Sequence, residues 1–263
     1  MRTGEAIDAR KGKNAAAFVG YLPAGFPDLD RGIRAAQELA RAGADIIELG
    51  LPYSDPSMDG GIIQAAGQRA LAGGFKVGNV FRAVEAVAEA GAVPLIMTYY
   101  NLIFRYGVDD FARDFSNAGG AGLITPDLIP DEATDWIEAS DRFDLDRVFL
   151  VAQSSRDDRL AATAAASRGF VYAASTMGVT GTRDSLDAGA RNLVERTRAA
   201  GAERVCVGIG VSNADQAREV AAYADGVIVG SALVRCLFDD HEAAALRELR
   251  RTAEELAAGA HGE

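Results

Sequence analysis

The chain has 263 residues, 49% of them apolar, and a formal net charge of -11. That length and composition are enough for one large core and match the usual size of a single α/β barrel, so one domain over residues 1–263 is expected. Acidic and basic residues are mixed along the chain with an acidic excess, which excludes nucleic acid and an anionic membrane surface as partners and requires any anionic substrate to be attracted locally.

The opening residues carry Arg10, Lys11 and Lys13 without the apolar stretch of a signal peptide. No apolar run reaches the roughly 18 residues needed to cross a bilayer, and a cytoplasmic location is expected. Short, β-rich apolar runs then recur at residues 17–22, 44–49, 93–99, 122–125, 147–151, 170–174, 204–208 and 225–229. Their near-continuous apolar character suits parallel strands covered on one face by helices and packed on the other into a barrel interior. Helical segments lie between them. Asp28 before Leu29 and Ser212-Asn213 before Ala214 are capping signals. Val77, Val80, Phe81, Val84 and Val87 form one apolar stripe, and Gly43, Gly91 and Gly201 punctuate the returns. A final helix is expected over 240–258. Eight repeats of strand and helix predict a closed eight-stranded parallel βα barrel with its active site at the C-terminal strand ends, an open doubly wound sheet being the weaker alternative. Cys206 and Cys236 lack the spacing of a metal site or a disulfide framework and are expected to be buried thiols.

The strand ends carry the chemistry. Val205 to Ser212 runs from an apolar strand through Gly210 into a capped helix, and Asp225 to Ser231 repeats that plan with Gly230. A glycine there lets backbone amides approach an oxyanion closely, and the following helix start favours negative charge. Either glycine alone is as readily a turn. Together, after strands seven and eight, they point to phosphate, with Gly181 and Ser231 as further donors.

The acid-base inventory is short. His241 and His261 lie in or beyond the terminal helix, and Lys11, Lys13 and Lys76 fall on no predicted strand. A histidine base, a Schiff-base lysine and a zinc-dependent aldolase are therefore not expected. Glu48 sits inside an apolar strand, where burial raises a carboxyl pKa toward neutrality and creates a usable general acid or base. A salt-bridged structural glutamate is the alternative. Asp55 and Asp59 stand in the following loop, each equally readable as turn residue or catalyst.

The stretch Glu48-Leu-Gly-Leu-Pro-Tyr-Ser-Asp-Pro, then Asp59-Gly and Ile63-Gln64, closely resembles the signature of tryptophan synthase alpha subunits. The resemblance continues through Met97 to Asn101, Pro126 to Leu128, Ser154 to Asp157, Gly178 to Gly181, Gly208 to Ser212 and Gly230 to Ala232, nearly the whole chain. It implies a barrel enzyme that cleaves indole-3-glycerol phosphate to indole and glyceraldehyde 3-phosphate without metal or cofactor, and that passes indole to a beta subunit carrying pyridoxal phosphate. By that resemblance Glu48 is the general acid and base, Asp59 accepts the indole N–H, and Gly181, Gly210, Gly230 and Ser231 hold phosphate. Tyr172 positions substrate, and Thr180 lies in a lid. Tyr21, Ile63 and Leu123 resemble pocket walls, though each is equally credible as core. Asp55, Pro56, Asn101, Asp127 and Leu128 match partner-contact positions. Gly61, Ile129 and Gln153 stand where the family commonly has proline or a small residue. Rival readings are a free-standing lyase that releases indole, a non-catalytic activator of a beta subunit, and another phosphosugar barrel enzyme.

Overall fold

The computed structural model describes residues 1–174 and 183–263, the side chains of 183–187 excepted. In chain order its elements are α1 (Thr3–Lys11), β1 (Ala17–Pro23), α2 (Leu29–Arg41), β2 (Ile46–Gly50), α3 (Gly61–Ala72), α4 (Val80–Glu89), β3 (Val93–Met97), α5 (Tyr100–Tyr106), α6 (Val108–Asn117), β4 (Gly122–Ile124), α7 (Thr134–Arg142) and β5 (Asp146–Val148). Then come β6 (Leu150–Ala152), α8 (Asp157–Ala166), β7 (Val171–Ala174), α9 (Arg183–Ala199), β8 (Val205–Gly208), α10 (Ala214–Ala221), β9 (Gly226–Val229), α11 (Ser231–Cys236) and α12 (Glu242–His261). The terminal helix thus starts two residues later and ends three residues later than expected.

All the strands pair in parallel in one sheet of order β5-β4-β3-β2-β1-β9-β8-β7-β6, which curls until its two ends are joined through Phe149. Among the described residues the strand count is nine, not the expected eight. The fifth expected strand is divided because its two halves serve different neighbours: β5 registers with β4, and β6 with β7. At Arg147 the chain instead exchanges an antiparallel pair of backbone hydrogen bonds with Arg168, so the ladder to β7 begins only at Leu150.

Side chains alternate between two environments, as the pleat requires. Val19, Ile46, Leu95, Ile124, Val148, Phe170, Cys206 and Ile228 form an interior cluster, while Phe18, Ile47, Leu49, Ile96, Val151, Val207 and Val229 pack outward under the helices. The N-terminal mouth is closed by α1, whose Ala6 and fully buried Ile7 join the interior cluster.

The same helix is pinned by charge. Asp45, just before β2, accepts from Arg10 Nε through Oδ1 at 2.7 Å and from Phe18 N through Oδ2 at 2.9 Å, and that same Oδ2 lies 2.9 Å from His261 Nε2 at the end of α12. Burial acts to raise the Asp45 carboxyl pKa, but the hydrogen bonds from His261, Phe18 and Arg10 outweigh it and hold the group below the ordinary carboxylate range. A depressed pKa contributes stability that is present above the unfolded value and is lost as pH falls through the folded one. Asp45→Asn is therefore expected to lower stability by about 1.5–3 kcal/mol at pH 7. The difference should shrink as urea titrations are repeated toward pH 3, and a difference independent of pH would contradict it.

Candidate active site

Glu48 lies in the middle of β2, with Tyr21 of β1 and Leu95 of β3 as its cross-strand partners. Its side chain points into the interior and is completely inaccessible to solvent. Among the described residues neither carboxyl oxygen has a hydrogen-bond partner, so the salt-bridged alternative finds no counterpart there. Desolvation without compensation pushes the Glu48 pKa up to about 8.

Two tyrosine rings share that interior. Burial first, and then the carboxylates of Asp59 and Glu48, push the Tyr21 hydroxyl well above its ordinary pKa. Tyr172 of β7 is raised in the same way, by burial and then by Glu48, with Asp59 contributing less. Each ring lies against a glycine where no side chain fits. A Cβ on Gly50 would stand 2.2 Å from the Tyr21 hydroxyl, and one on Gly208 would stand 2.6 Å from the Tyr172 hydroxyl.

Asp59 sits in the loop between β2 and α3. It is partly buried, and desolvation raises its carboxyl pKa as well. A narrow recess at the C-terminal mouth is lined by Asp59, Tyr21, Gly50, Leu51, Met97, Thr98, Tyr99 and Pro126. Carboxylates therefore reach the same end of the barrel from a strand and from a loop.

The phosphate candidates occupy the adjacent loops. Gly210 has φ +76°, and Gly230 is the N-cap of α11 with Ser231 as the first helical residue. The first amides of a helix have no intrahelical acceptor and point at whatever lies beyond the cap. Gly230 also touches the acid-base end: a Cβ there would lie 3.4 Å from Tyr21 Cδ1 and 3.6 Å from Ile63 Cδ1. A larger cleft, lined by Gly210, Ser212 and Ser231, runs outward between α11 and α12 as far as Thr252. We place the chemistry at the smaller recess because Asp59 lines it together with Tyr21, the ring on which both the Asp59 and Glu48 carboxylates act, whereas the cleft between α11 and α12 is lined by neither carboxylate. Thr180 and Gly181 lie outside the described residues.

The remaining candidates separate. Tyr21, Ile63 and Gly230 are brought together, whereas Leu123 belongs to the outward cluster under the helices, and the interior at that level is lined by its neighbour Ile124 and by Met97. Sequence reading passed over Met97 and Ile124. Counting in steps of two from Glu48 across the register would have found them, since Gly50 pairs with Met97 and Met97 with Ile124. Among the partner-contact candidates, Asp55, Asn101 and Asp127 are exposed and Pro56 is half-buried, but Leu128 is buried in the outer cluster. The Asp127 carboxylate accepts from Tyr100 N at the start of α5, and Asn101 Nδ2 donates to the Tyr53 hydroxyl at 3.1 Å. Phe104 and Ile129, which are 67% and 44% exposed, stand beside them in sequence. Cys206 is buried, while Cys236 is only half-buried, because its thiol faces the cleft beside α12. Among the described residues no group of three or more His, Cys, Asp or Glu side chains is placed to hold a metal ion, and no helix is long and apolar enough to cross a membrane.

Gly61 is the first residue of α3, with Gly60 as N-cap at φ -68° and ψ 161°, a conformation open to a residue preceding proline. A Cβ at Gly61 would meet nothing within 4 Å. Proline is favoured at that helical position and reduces the freedom of the unfolded chain. Gly61→Pro should therefore stabilise the protein by about 0.4–1 kcal/mol, read as a higher urea midpoint at unchanged slope.

A family model described as tryptophan synthase alpha chain matches residues 7–261. The chain is 58% identical to a tryptophan synthase alpha chain of Bifidobacterium longum, covering 99% of this chain and 91% of that one. It is 59% identical to that of Leifsonia xyli, covering 98% of each. Among solved structures, a tryptophan synthase of Mycobacterium tuberculosis superposes with a TM-score of 0.92 at 53% identity, covering 99% of this chain and 98% of the other. A mutant tryptophan synthase alpha-subunit from Pyrococcus furiosus gives 0.83 at 33% identity, covering 92% and 98%.

Proposed function

Because the chain belongs to the tryptophan synthase alpha chain family, we propose that it cleaves indole-3-glycerol phosphate at the recess between Glu48 and Asp59. The observation that carries this reading is the Glu48 carboxyl, buried in the barrel interior without a hydrogen-bond partner among the described residues and raised to about 8. A group of that pKa is largely protonated at neutral pH and exchanges its proton readily in both directions.

The chemistry needs both directions. Glu48 delivers its proton to indole C3, and the ring double bond supplies the electron pair, leaving positive charge on the ring nitrogen. The carboxylate so formed takes the proton from the hydroxyl on the adjoining glycerol carbon. As that carbon becomes a carbonyl, the electron pair of the carbon–carbon bond returns to the ring, and indole and glyceraldehyde 3-phosphate separate with Glu48 reprotonated. Asp59 accepts the indole N–H hydrogen bond, which strengthens as the nitrogen becomes positive, so it favours the transition state over bound substrate. Backbone amides at Gly181, Gly210, Gly230 and Ser231 hold the phosphate, Tyr172 orients the ring, and Thr180 belongs to the segment that covers the site. Tyr21, Ile63, Met97 and Ile124 form the apolar wall. None of these steps requires a metal or a cofactor in this chain.

A pyridoxal phosphate-dependent beta subunit is the proposed consumer of indole, docking over Asp55, Pro56, Asn101 and Asp127. The exposed Phe104 and Ile129, each near these residues in sequence, support that surface, because interfaces set apolar side chains among polar ones. The protein works as one domain in the cytoplasm on a small phosphorylated substrate, with no nucleic acid or membrane partner. The test is indole release from indole-3-glycerol phosphate by the purified chain, alone and with a beta subunit and serine. Slow release that accelerates with partner is expected. Fast release indifferent to partner would replace this reading with a free-standing lyase, and no release in either condition would remove the proposed reaction.

A further inference from the structure

The loop that carries Asp59 is fastened to the barrel by Tyr99, which lines the same recess and has no role in the reaction scheme given above. Tyr99 follows β3 and precedes α5, between Thr98, whose amide donates to the Ile124 carbonyl at 3.0 Å, and Tyr100, whose amide is capped by Asp127. It is only 9% exposed, and its hydroxyl lies across the mouth of the barrel against the loop. Ser57 N donates to that oxygen at 2.8 Å and Met58 N at 3.1 Å, with Ser57 Oγ at 3.5 Å. These are the two amides immediately before Asp59. On its far side, the Asp59 carbonyl accepts from Gln64 Nε2 at 2.8 Å. The ring of Tyr99 is stacked on Tyr53 at 4.6 Å, and the Tyr53 hydroxyl accepts from Asn101, one of the proposed partner-contact residues.

One side-chain oxygen receiving two consecutive amides fixes both the position and the orientation of a short backbone segment. The loop has no strand or helix of its own between Gly50 and Gly61 to do so. A shift of about 1 Å in a group facing a reacting centre is enough to cost a large part of the rate. We propose that Tyr99 is a positioning residue that holds Asp59 in its productive place, and that the Tyr53 stack links this clamp to the surface around Asn101. The proposal rests on the reading of Asp59 given above.

The variant to make is Tyr99→Phe, which keeps the ring stack and removes only the acceptor. In the full chain, kcat for indole release should fall about tenfold with KM changed less than about threefold, since an interaction realised in the transition state is lost while ground-state binding is kept. Hydrogen exchange of the Ser57 and Met58 amides should quicken while the β2 and β3 amides stay protected. Added to Asp59→Asn, the substitution should cost nothing more, because both act through one carboxylate. Losses that multiply, or an unchanged rate and unchanged exchange, would overturn the clamp. If Asp59→Asn alone left the rate intact, the reading of Asp59 would fail and take the catalytic purpose of Tyr99 with it. That outcome is distinct from a failure of Tyr99→Phe beside a damaged Asp59→Asn. A gross fall in melting temperature on Tyr99→Phe would assign the residue to folding and likewise overturn the proposal.

Discussion

Glu48→Gln is expected to remove indole release and, in the same molecule, to make the folded chain more stable. An amide of nearly the same shape keeps the packing of the β2 interior but can neither deliver a proton to carbon nor accept one from the glycerol hydroxyl. General acid-base catalysis of this kind is worth roughly 10³-fold, so kcat should fall by that order with little change in KM. The stability gain follows from linkage. The ordinary glutamate value is 4.5, and the buried one is about 8. Between those pH values the unfolded chain releases its proton while the native chain retains it. The native state is therefore best favoured below pH 4.5 and loses stability as pH rises through about 8. Glutamine carries no such penalty. The advantage of Glu48→Gln should be absent in acid and grow to on the order of 3 kcal/mol by pH 8, measured by urea titration at a series of pH values. In the parent protein kcat/KM should decline as pH rises through about 8, where the free enzyme loses the proton needed for the first step. A parent whose rate is flat to pH 10, or a variant with no stability gain, would contradict a desolvated acid at this position.

Asp59→Asn should give the opposite balance, a large kinetic loss with no stability gain of comparable size. The asparagine carbonyl still accepts the indole N–H, but without the negative charge that answers a developing positive nitrogen. Charge-assisted hydrogen bonds are roughly twice as strong as neutral ones, and removing a group aimed at transition-state charge costs about 10²- to 10³-fold in kcat. Substrate affinity should change far less, because neutral indole in the ground state makes little use of the charge. Pre-steady-state binding and turnover measured on the same preparation separate these effects. A raised dissociation constant with unchanged kcat would return Asp59 to the role of a binding residue only. The loop is only partly buried, so desolvation at Asp59 is milder than at Glu48 and the stability of the variant should stay close to that of the parent.

These two carboxylates were legible in the chain because each is an exception to its surroundings. Glu48 is a charged side chain flanked by Ile46, Ile47 and Leu49 inside an apolar run, and Asp59 stands in a loop punctuated by proline and glycine. Leu123 was misplaced for the converse reason. β4 has three residues, all buried, so nothing in Gly122-Leu123-Ile124 itself says which faces inward. Parity comes only from pairing, which sets Ile124 beside Met97 and leaves Leu123 outside. Leu128 follows Asp127 in sequence, yet it turns into the outer cluster while Asp127 stays at the surface. Tyr99 falls within the stretch from Met97 to Asn101 that resembles the family, but nothing there points to a clamp until its hydroxyl is seen to receive amides from a loop some forty residues earlier.

Local pattern encodes the alternation of strand and helix, the glycines at strand ends, the caps, and an inventory with carboxylates in place of histidine or lysine. The tertiary structure decided everything that depends on neighbours brought from far along the chain. Division of the fifth strand followed from the pairing of Arg147 with Arg168, which no periodicity contains. The pKa of Glu48 followed from the whole barrel, because desolvation sums over every wall that excludes water. The anchoring of the loop before Asp59 followed from Tyr99, a side chain that meets Ser57 and Met58 only after the strands have paired.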